Sequence, residues 1–228
     1  MRLIWPLRTF YHIFISMNGN LVAFGCSLTF GHGLPDCHVP PDEPGQIAST
    51  MAWPSRLAEI GNRKCINKSR PGASSLQIAL TVLSHDFVPG DICFVLWSYP
   101  DRGLIVNDDH SFTPVGHWID RRKLRAWNLV NPDLHRTTMC WLHAVAVDSW
   151  LRLRGVDYYF LTIGLEYWTG PRPEWSRDVQ FLDANINRLR SSHPLALDNR
   201  HPGVEAHEAM ASEVAREIGW LPSIRTTS

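Results

Sequence analysis

At 228 residues and 44% hydrophobic content, the chain can bury one sizeable core and suits a single domain. Its 22 basic and 22 acidic residues cancel to a formal net charge of zero, so composition supplies no electrostatic footprint for nucleic acid or an anionic membrane. Five cysteines without C-x-x-C spacing suggest neither a zinc site nor a disulfide framework, and point to a reducing, cytoplasmic setting.

Residues 1–16 are apolar with a few basic positions, but Pro6, Arg8 and His12 interrupt the run and no A-x-A cleavage site follows. The expectation is a poorly ordered extension over 1–16, a natural start at Met17, and one domain over 17–228. No stretch is long and apolar enough to span a membrane. The run Leu21-Val22-Ala23-Phe24 predicts a buried strand within Asn20–Cys26, and Ser27 falls where it ends. A Gly/Pro-rich loop, Gly31 to Gly45, follows. A helix is expected from about Gln46 to Ile60, with Pro54 forcing a start nearer Trp53 or a kink. Lys64–Lys68 reads as a short strand. Pro71-Gly72 turns the chain, and Ser74 or Ser75 can cap a helix over about Ser75–Phe87.

Ile92-Cys93-Phe94-Val95-Leu96-Trp97 is a fully apolar run, as a buried parallel strand requires. Tyr99 to Pro132 reads as irregular, a long loop insertion at about 99–133 of the kind that forms lids or binding loops. Within it, Arg121, Arg122, Lys123 and Arg125 read as a solvated basic face. Helical periodicity returns over Leu134–Arg154, a strand over Asp157–Ile163, and helices near Asp178–Arg190 and Val204–Ile218. Many of the ten tryptophans crowd the middle of the chain. They read either as core packing or as an aromatic-lined cleft of the kind that stacks on sugars.

Strands separated by helices imply a mainly parallel sheet with right-handed crossovers, hence a three-layer α/β/α sandwich. Ligands bind such sheets at the carboxyl ends of the strands. Ser27, Gly72, Ser98 and the loop after Ile163 all fall on that edge. Asp198-Asn199-Arg200-His201-Pro202 supplies what a serine nucleophile needs: a base, and an acid to orient it. The Asp198–His201 spacing lets the carboxylate fold back onto the imidazole. Pro202 at the first helical position would pin His201 ahead of the last helix. The Ser27 N–H, and a second N–H beside Gly72, can stabilise an oxyanion. His32 and His38 lie in the loop after the serine, where they line the site or merely pack. Glu166 and Asp101 read as ion-paired acids at the sheet edge.

These residues resemble a known family. Gly25-Cys26-Ser27-Leu28-Thr29-Phe30-Gly31 is similar to the first block, G-D-S-x-T-x-G, of the GDSL/SGNH hydrolases. Asn67–Gly72 with Ala73-Ser74 resembles the second block, and Asp198–Pro202 the D-x-x-H-P block. The resemblance runs from about residue 20 to 218. It implies a flavodoxin-like sheet and hydrolysis of a small-molecule or glycan ester through an acyl-enzyme, with Ser27, Asp198 and His201 catalytic and no metal or other cofactor. Two departures stand out: Cys26 replaces the family aspartate, and the third block, G-x-N-D, is missing. After Trp97 the chain reads Ser98-Tyr99-Pro100-Asp101-Arg102. Ser98 is the substitute candidate for the lost oxyanion donor, and Arg102 a candidate anchor for an anionic or sugar substrate. The alternative is a non-catalytic binding protein for a polar ligand on the same scaffold. Neither the G-x-S-x-G elbow nor a phosphate-binding G-x-G-x-x-G or Walker motif fits, since position 29 is Thr and the Walker lysine is absent.

Overall fold

The computed structural model describes residues 19–222 apart from His110, Thr169 and Asn185. The 1–16 extension and Met17 lie outside the described residues. Strand β1 (Leu21–Phe24) is buried along its whole length. It pairs in parallel with β4 (Cys65–Asn67) on one side and β5 (Ile92–Trp97) on the other, so that Leu21 lies opposite both Cys65 and Ile92. An all-apolar sequence is what a strand covered on both faces requires.

Chain order supplies the rest. After β1 come the one-turn helix α1 (Ser27–Phe30), the short hairpin β2 (His38–Val39) and β3 (Glu43–Pro44), and α2 (Trp53–Ile60). Helix α3 (Ser75–Leu83) links β4 to β5. Then follow β6 (Gly103–Val106), β7 (Phe112–Val115), α4 (Arg121–Val130) and α5 (Asp133–Arg154). Strand β8 (Asp157–Thr162), α6 (Ile186–Ser191) and α7 (Val204–Glu217) complete the chain. The main sheet has four parallel strands in the order β4-β1-β5-β8. Right-handed crossovers place α2, with α7 packed against it, on one face of this sheet, and α3 and α5 on the other. The expected three-layer sandwich with a flavodoxin-like strand order is therefore present. The strand order switches direction between β1 and β5, which opens a crevice beyond their carboxyl ends.

Local signals set several boundaries. Helix α2 starts at Trp53 with Pro54 in its first turn, where the missing N–H costs nothing. Its Trp53 N–H is accepted 3.1 Å away by Nδ1 of His207 on α7, so a buried histidine caps it from across the core. Ser74 caps α3 by accepting the Gln77 N–H at 3.3 Å.

Three expectations need correction. The 99–133 region is ordered: β6 and β7 form an antiparallel hairpin, and α4 is capped by Asp120, which accepts the Arg122 and Lys123 N–H groups. The Arg121–Arg125 cluster lies along that helix, which buries none of its residues. The helix expected over Asp178–Arg190 is confined to α6. Ahead of it, the Leu182 N–H donates to the Phe160 carbonyl at 2.8 Å, and Phe181 packs among Trp141, Phe160 and Trp168. An edge bond to β8 and aromatic burial outweigh helical propensity there. Pro202 precedes the α7 N-cap, which is Gly203, and bridges to Leu195 instead of occupying the first helical position.

Candidate active site

Ser27 opens α1 directly after β1. Gly25 permits that turn: a Cβ there would sit 2.2 Å from the Thr29 Oγ1 and 3.2 Å from the Leu96 carbonyl. Gly31, at φ 82°, closes the turn, its N–H and that of His32 donating to the Ser27 carbonyl at 3.0 and 3.1 Å. From β4, the Asn67 Nδ2 donates to the Thr29 carbonyl at 2.7 Å. The α1 turn is thus held from both ends. Cys26, where the resembling family has aspartate, is buried and makes no side-chain cap to α1.

Asp198 and His201 reach Ser27 from a loop ahead of α7. The Ala196 N–H donates to the His201 carbonyl at 2.8 Å and the Gly203 N–H to the Pro194 carbonyl at 2.9 Å, clamping the loop. Asn199, at φ 54°, makes the tight bend. The Asp198 Oδ1 accepts the N–H groups of Arg200 and His201, each at 3.0 Å. Its Oδ2 lies 2.5 Å from the His201 Nδ1, and the His201 Nε2 lies 3.0 Å from the Ser27 Oγ. Serine, histidine and aspartate, separated by 174 residues of sequence, form one hydrogen-bonded row.

Their environment sets their charge. Burial works to raise the Asp198 carboxyl, but the His201 and Arg200 N–H groups and the imidazole outweigh it, leaving the carboxyl below its ordinary range. Burial pushes the His201 imidazole below its ordinary value. The Asp198 carboxylate opposes that, while His32 and Arg190 add to it. At neutral pH the row holds an ionised aspartate and a neutral histidine.

Ser27, Gly72 and His201 line an open cleft of about 940 Å³, together with Tyr99, Arg102 and Trp118. Gly72 has φ 76°, a left-handed conformation that brings its backbone to the cleft without strain. Ser98 is placed differently from the expectation. It is 1% exposed, its Oγ accepts the Arg102 Nη1–H at 3.3 Å, and it is not among the cleft-lining residues. His38 is likewise outside the cleft lining. Asp101 lines the cleft, and Glu166 accepts from the Asn187 Nδ2 at 3.1 Å. Neither acid forms the expected ion pair among the described residues. The tryptophans divide: Trp97, Trp141 and Trp168 are core, while Trp118 faces the cleft.

Of the two loop histidines, His32 does line the cleft. The His32 ring stacks on His201, with centroids 4.5 Å apart. Its Nε2 lies 3.0 Å from the Asp42 carbonyl and 4.0 Å from the Asp198 Oδ2. His32, Asp198 and His201 each offer a ligand atom within 4.8 Å of the others, so a cation could be held there. Such an ion would compete with the Asp198–His201 and His201–Ser27 hydrogen bonds. Arg190, at the end of α6, also lines the cleft.

No family model and no curated protein matches the chain. Solved structures do. A protein assigned to the lipolytic G-D-S-L family from Desulfitobacterium hafniense aligns at TM-score 0.50 and 17% identity, covering 88% of this chain and 99% of its own. An acetyl xylan esterase from the rumen bacterium Butyrivibrio proteoclasticus aligns at TM-score 0.53 and 11% identity, over 89% of this chain and 65% of its own. A carbohydrate esterase described as having divergent catalytic and non-catalytic binding functions aligns at TM-score 0.50 and 12% identity, over 89% and 70%. At such identities the likeness is one of architecture, and the architecture of this chain is the α/β/α fold of the GDSL/SGNH hydrolases.

Proposed function

We propose that the chain is a serine ester hydrolase that works through an acyl-enzyme on short-chain or carbohydrate O-acyl esters. The observation that carries this reading is the row Ser27 Oγ, His201 Nε2 and Nδ1, Asp198 Oδ2, at 3.0 and 2.5 Å, opening into a cleft at the sheet's switch point. With Asp198 ionised, the imidazole proton stays on Nδ1 and the Nε2 lone pair faces the serine hydroxyl. Ser27 attacks the ester carbonyl, and its proton passes to the His201 Nε2. The oxyanion takes hydrogen bonds from the backbone N–H groups of Ser27 and Gly72. Collapse of the intermediate expels the alcohol, which leaves with the proton from Nε2. Water then gives a proton to His201 and its oxygen bonds to the acyl carbon. Collapse of this second intermediate frees the acid, and the proton on the His201 Nε2 returns to the Ser27 oxygen.

The arginines lining the cleft, Arg102, Arg136, Arg190 and Arg200, support a polar ester over a long-chain lipid, with Arg102 as a substrate-binding residue. Two of the fold neighbours are a carbohydrate esterase and an acetyl xylan esterase, which is in keeping with a glycan ester. The test is turnover of p-nitrophenyl acetate by the wild type and by Ser27→Ala. The variant should be inactive, and undiminished turnover would sink the proposal.

One observation favours a second reading, a weakly active or non-catalytic binding protein. Ser98 is engaged with Arg102 instead of facing the cleft, so Ser98 does not replace the third-block asparagine. Loss of one oxyanion donor costs about 100- to 1000-fold in rate. A fluorophosphonate probe separates the readings, because a binding-only protein leaves Ser27 unlabelled in the folded state.

A further inference from the structure

Four arginines line the cleft: Arg102, Arg136, Arg190 and Arg200. Two have acidic partners. Arg136 pairs with Asp133, and Arg200 lies 3.5 Å from the Asp42 carboxylate. Arg102 and Arg190 do not: among the described residues no carboxylate lies within 4.0 Å of either guanidinium. Glu43 and Asp101 also line the cleft, and neither pairs with them.

Both unpaired guanidiniums are nevertheless held in place, and by the same residue. The Arg190 Nη1 donates to the Tyr99 hydroxyl at 2.7 Å. The Arg102 Cζ lies 5.4 Å from the Tyr99 ring centroid and 5.4 Å from that of Trp118. One of its N–H groups donates to Ser98. This accounts for the unexpected orientation of Ser98: it fixes a guanidinium. A guanidinium has five donors in a planar fork matched to a carboxylate. Among the described residues, Arg102 and Arg190 each donate one hydrogen bond to a neutral partner, which leaves donors for an anion. Neutral supports orient the groups without cancelling their charge. Arg190 and His201 line the same cleft, so an anion on Arg190 would share that cleft with the reacting ester.

We propose that the cleft selects esters carrying a carboxylate, bound by Arg102 and Arg190, the two guanidiniums that Tyr99 holds. The inference rests on the esterase reading and adds the charge class of the substrate. The carboxylate can belong to the acyl part or to the alcohol part, such as a uronic acid, and the assay distinguishes them. For the acyl side, p-nitrophenyl hemisuccinate is compared with p-nitrophenyl butyrate. For the alcohol side, acetate release from an acetylated methyl glucuronoside is compared with release from the acetylated methyl glucoside.

In at least one pair the anionic ester should be favoured in kcat/KM by about 10- to 100-fold, the usual effect of one or two charge-assisted hydrogen bonds. Arg190→Gln and Arg102→Gln, checked for folding by thermal unfolding, should each lower that ratio by about tenfold. A ratio at or below unity in both pairs, or a ratio unmoved in both variants, overturns the proposal. Calorimetry on Ser27→Ala protein keeps this outcome separate from failure of the esterase reading. Glucuronate or succinate should bind more tightly than glucose, and equal binding of all three overturns the anion site even where turnover is absent.

Discussion

Replacing Asp198 with asparagine tests the proposed chemistry while sparing the fold. The carboxylate has two separate duties. Its Oδ1 accepts the backbone N–H groups of Arg200 and His201, at 3.0 Å each, which shapes the loop. Its Oδ2 faces the His201 Nδ1 at 2.5 Å, which sets the tautomer. In Asp198→Asn the amide oxygen can keep the first duty, whereas the amide nitrogen has only hydrogens to present to Nδ1. The imidazole proton must then move to Nε2, which donates to the Ser27 Oγ instead of accepting from it. Ser27 loses its base while every heavy atom stays in place. The expected loss is about 10⁴-fold in kcat, as for wrong-tautomer variants of other serine triads, or about 5.5 kcal/mol of barrier. Stability should fall by about 1–2 kcal/mol for the weakened charge-assisted bond, lowering the unfolding midpoint by about 2–4 °C per kcal/mol. Initial rates with p-nitrophenyl acetate and thermal unfolding by circular dichroism measure the two effects. A variant that folds and keeps a tenth or more of kcat would refute the assignment of His201 as a base oriented by Asp198.

Further expectations concern the residues around that row. Gly33 has φ 87° and its missing Cβ would sit 2.7 Å from the Asp198 Cγ. Gly33→Ala should therefore cost about 1–3 kcal/mol from the backbone. It should also displace Asp198, with kcat down by about a hundredfold for a shift near 1 Å; a variant of full activity would contradict this geometry. Because burial lowers the His201 pKa below 6.5, kcat/KM should hold level down to about pH 6.5 and fall only as pH drops through that lowered value. An acid limb centred above pH 7 would count against a buried, neutral base.

His207 makes an acid-stability prediction. Burial depresses its imidazole to about 3, against an ordinary value of 6.5. Below pH 6.5 the unfolded chain therefore binds a proton that the folded chain refuses. Its contribution to stability is complete above pH 6.5 and is lost at about 1.4 kcal/mol per pH unit as pH falls toward 3. His207→Asn, whose amide oxygen can still accept the Trp53 N–H, should show a flatter decline between pH 6 and 4 in denaturant titrations. Equal slopes in the two proteins would dismiss His207 as the source.

Whatever was legible in the sequence depends on near neighbours. The apolar run Ile92–Trp97 matches β5 residue for residue, Pro54 starts α2 at Trp53, and Ser74 caps α3. The Asp198–His201 contact is readable for the same reason, since a carboxylate reaches an imidazole three residues on without help from the fold. Short-range patterns failed where distant groups compete. Helical propensity over Asp178–Ala184 yields to an edge bond with β8 and an aromatic cluster drawn from α5 and β8. A run that looked like a plain loop becomes the β6–β7 hairpin, with β6 packed on α3, and the helix α4.

By itself, then, the sequence determined the strand and helix alternation, the parallel sheet it demands, and the residue types at the sheet's carboxyl edge. Those follow from hydrophobic periodicity and turn chemistry, which act over a few residues. Only the tertiary structure decided which of those residues meet. The crossover that sets β1 beside β5 brings Ser27 to the Tyr99–Arg102 segment, and the clamp ahead of α7 brings His201 across 174 residues to the same crevice. Stacking of His32 on His201, and the seating of Arg102 and Arg190 about Tyr99, arise from that closure. They depend on packing between segments whose separation along the chain carries no local signal.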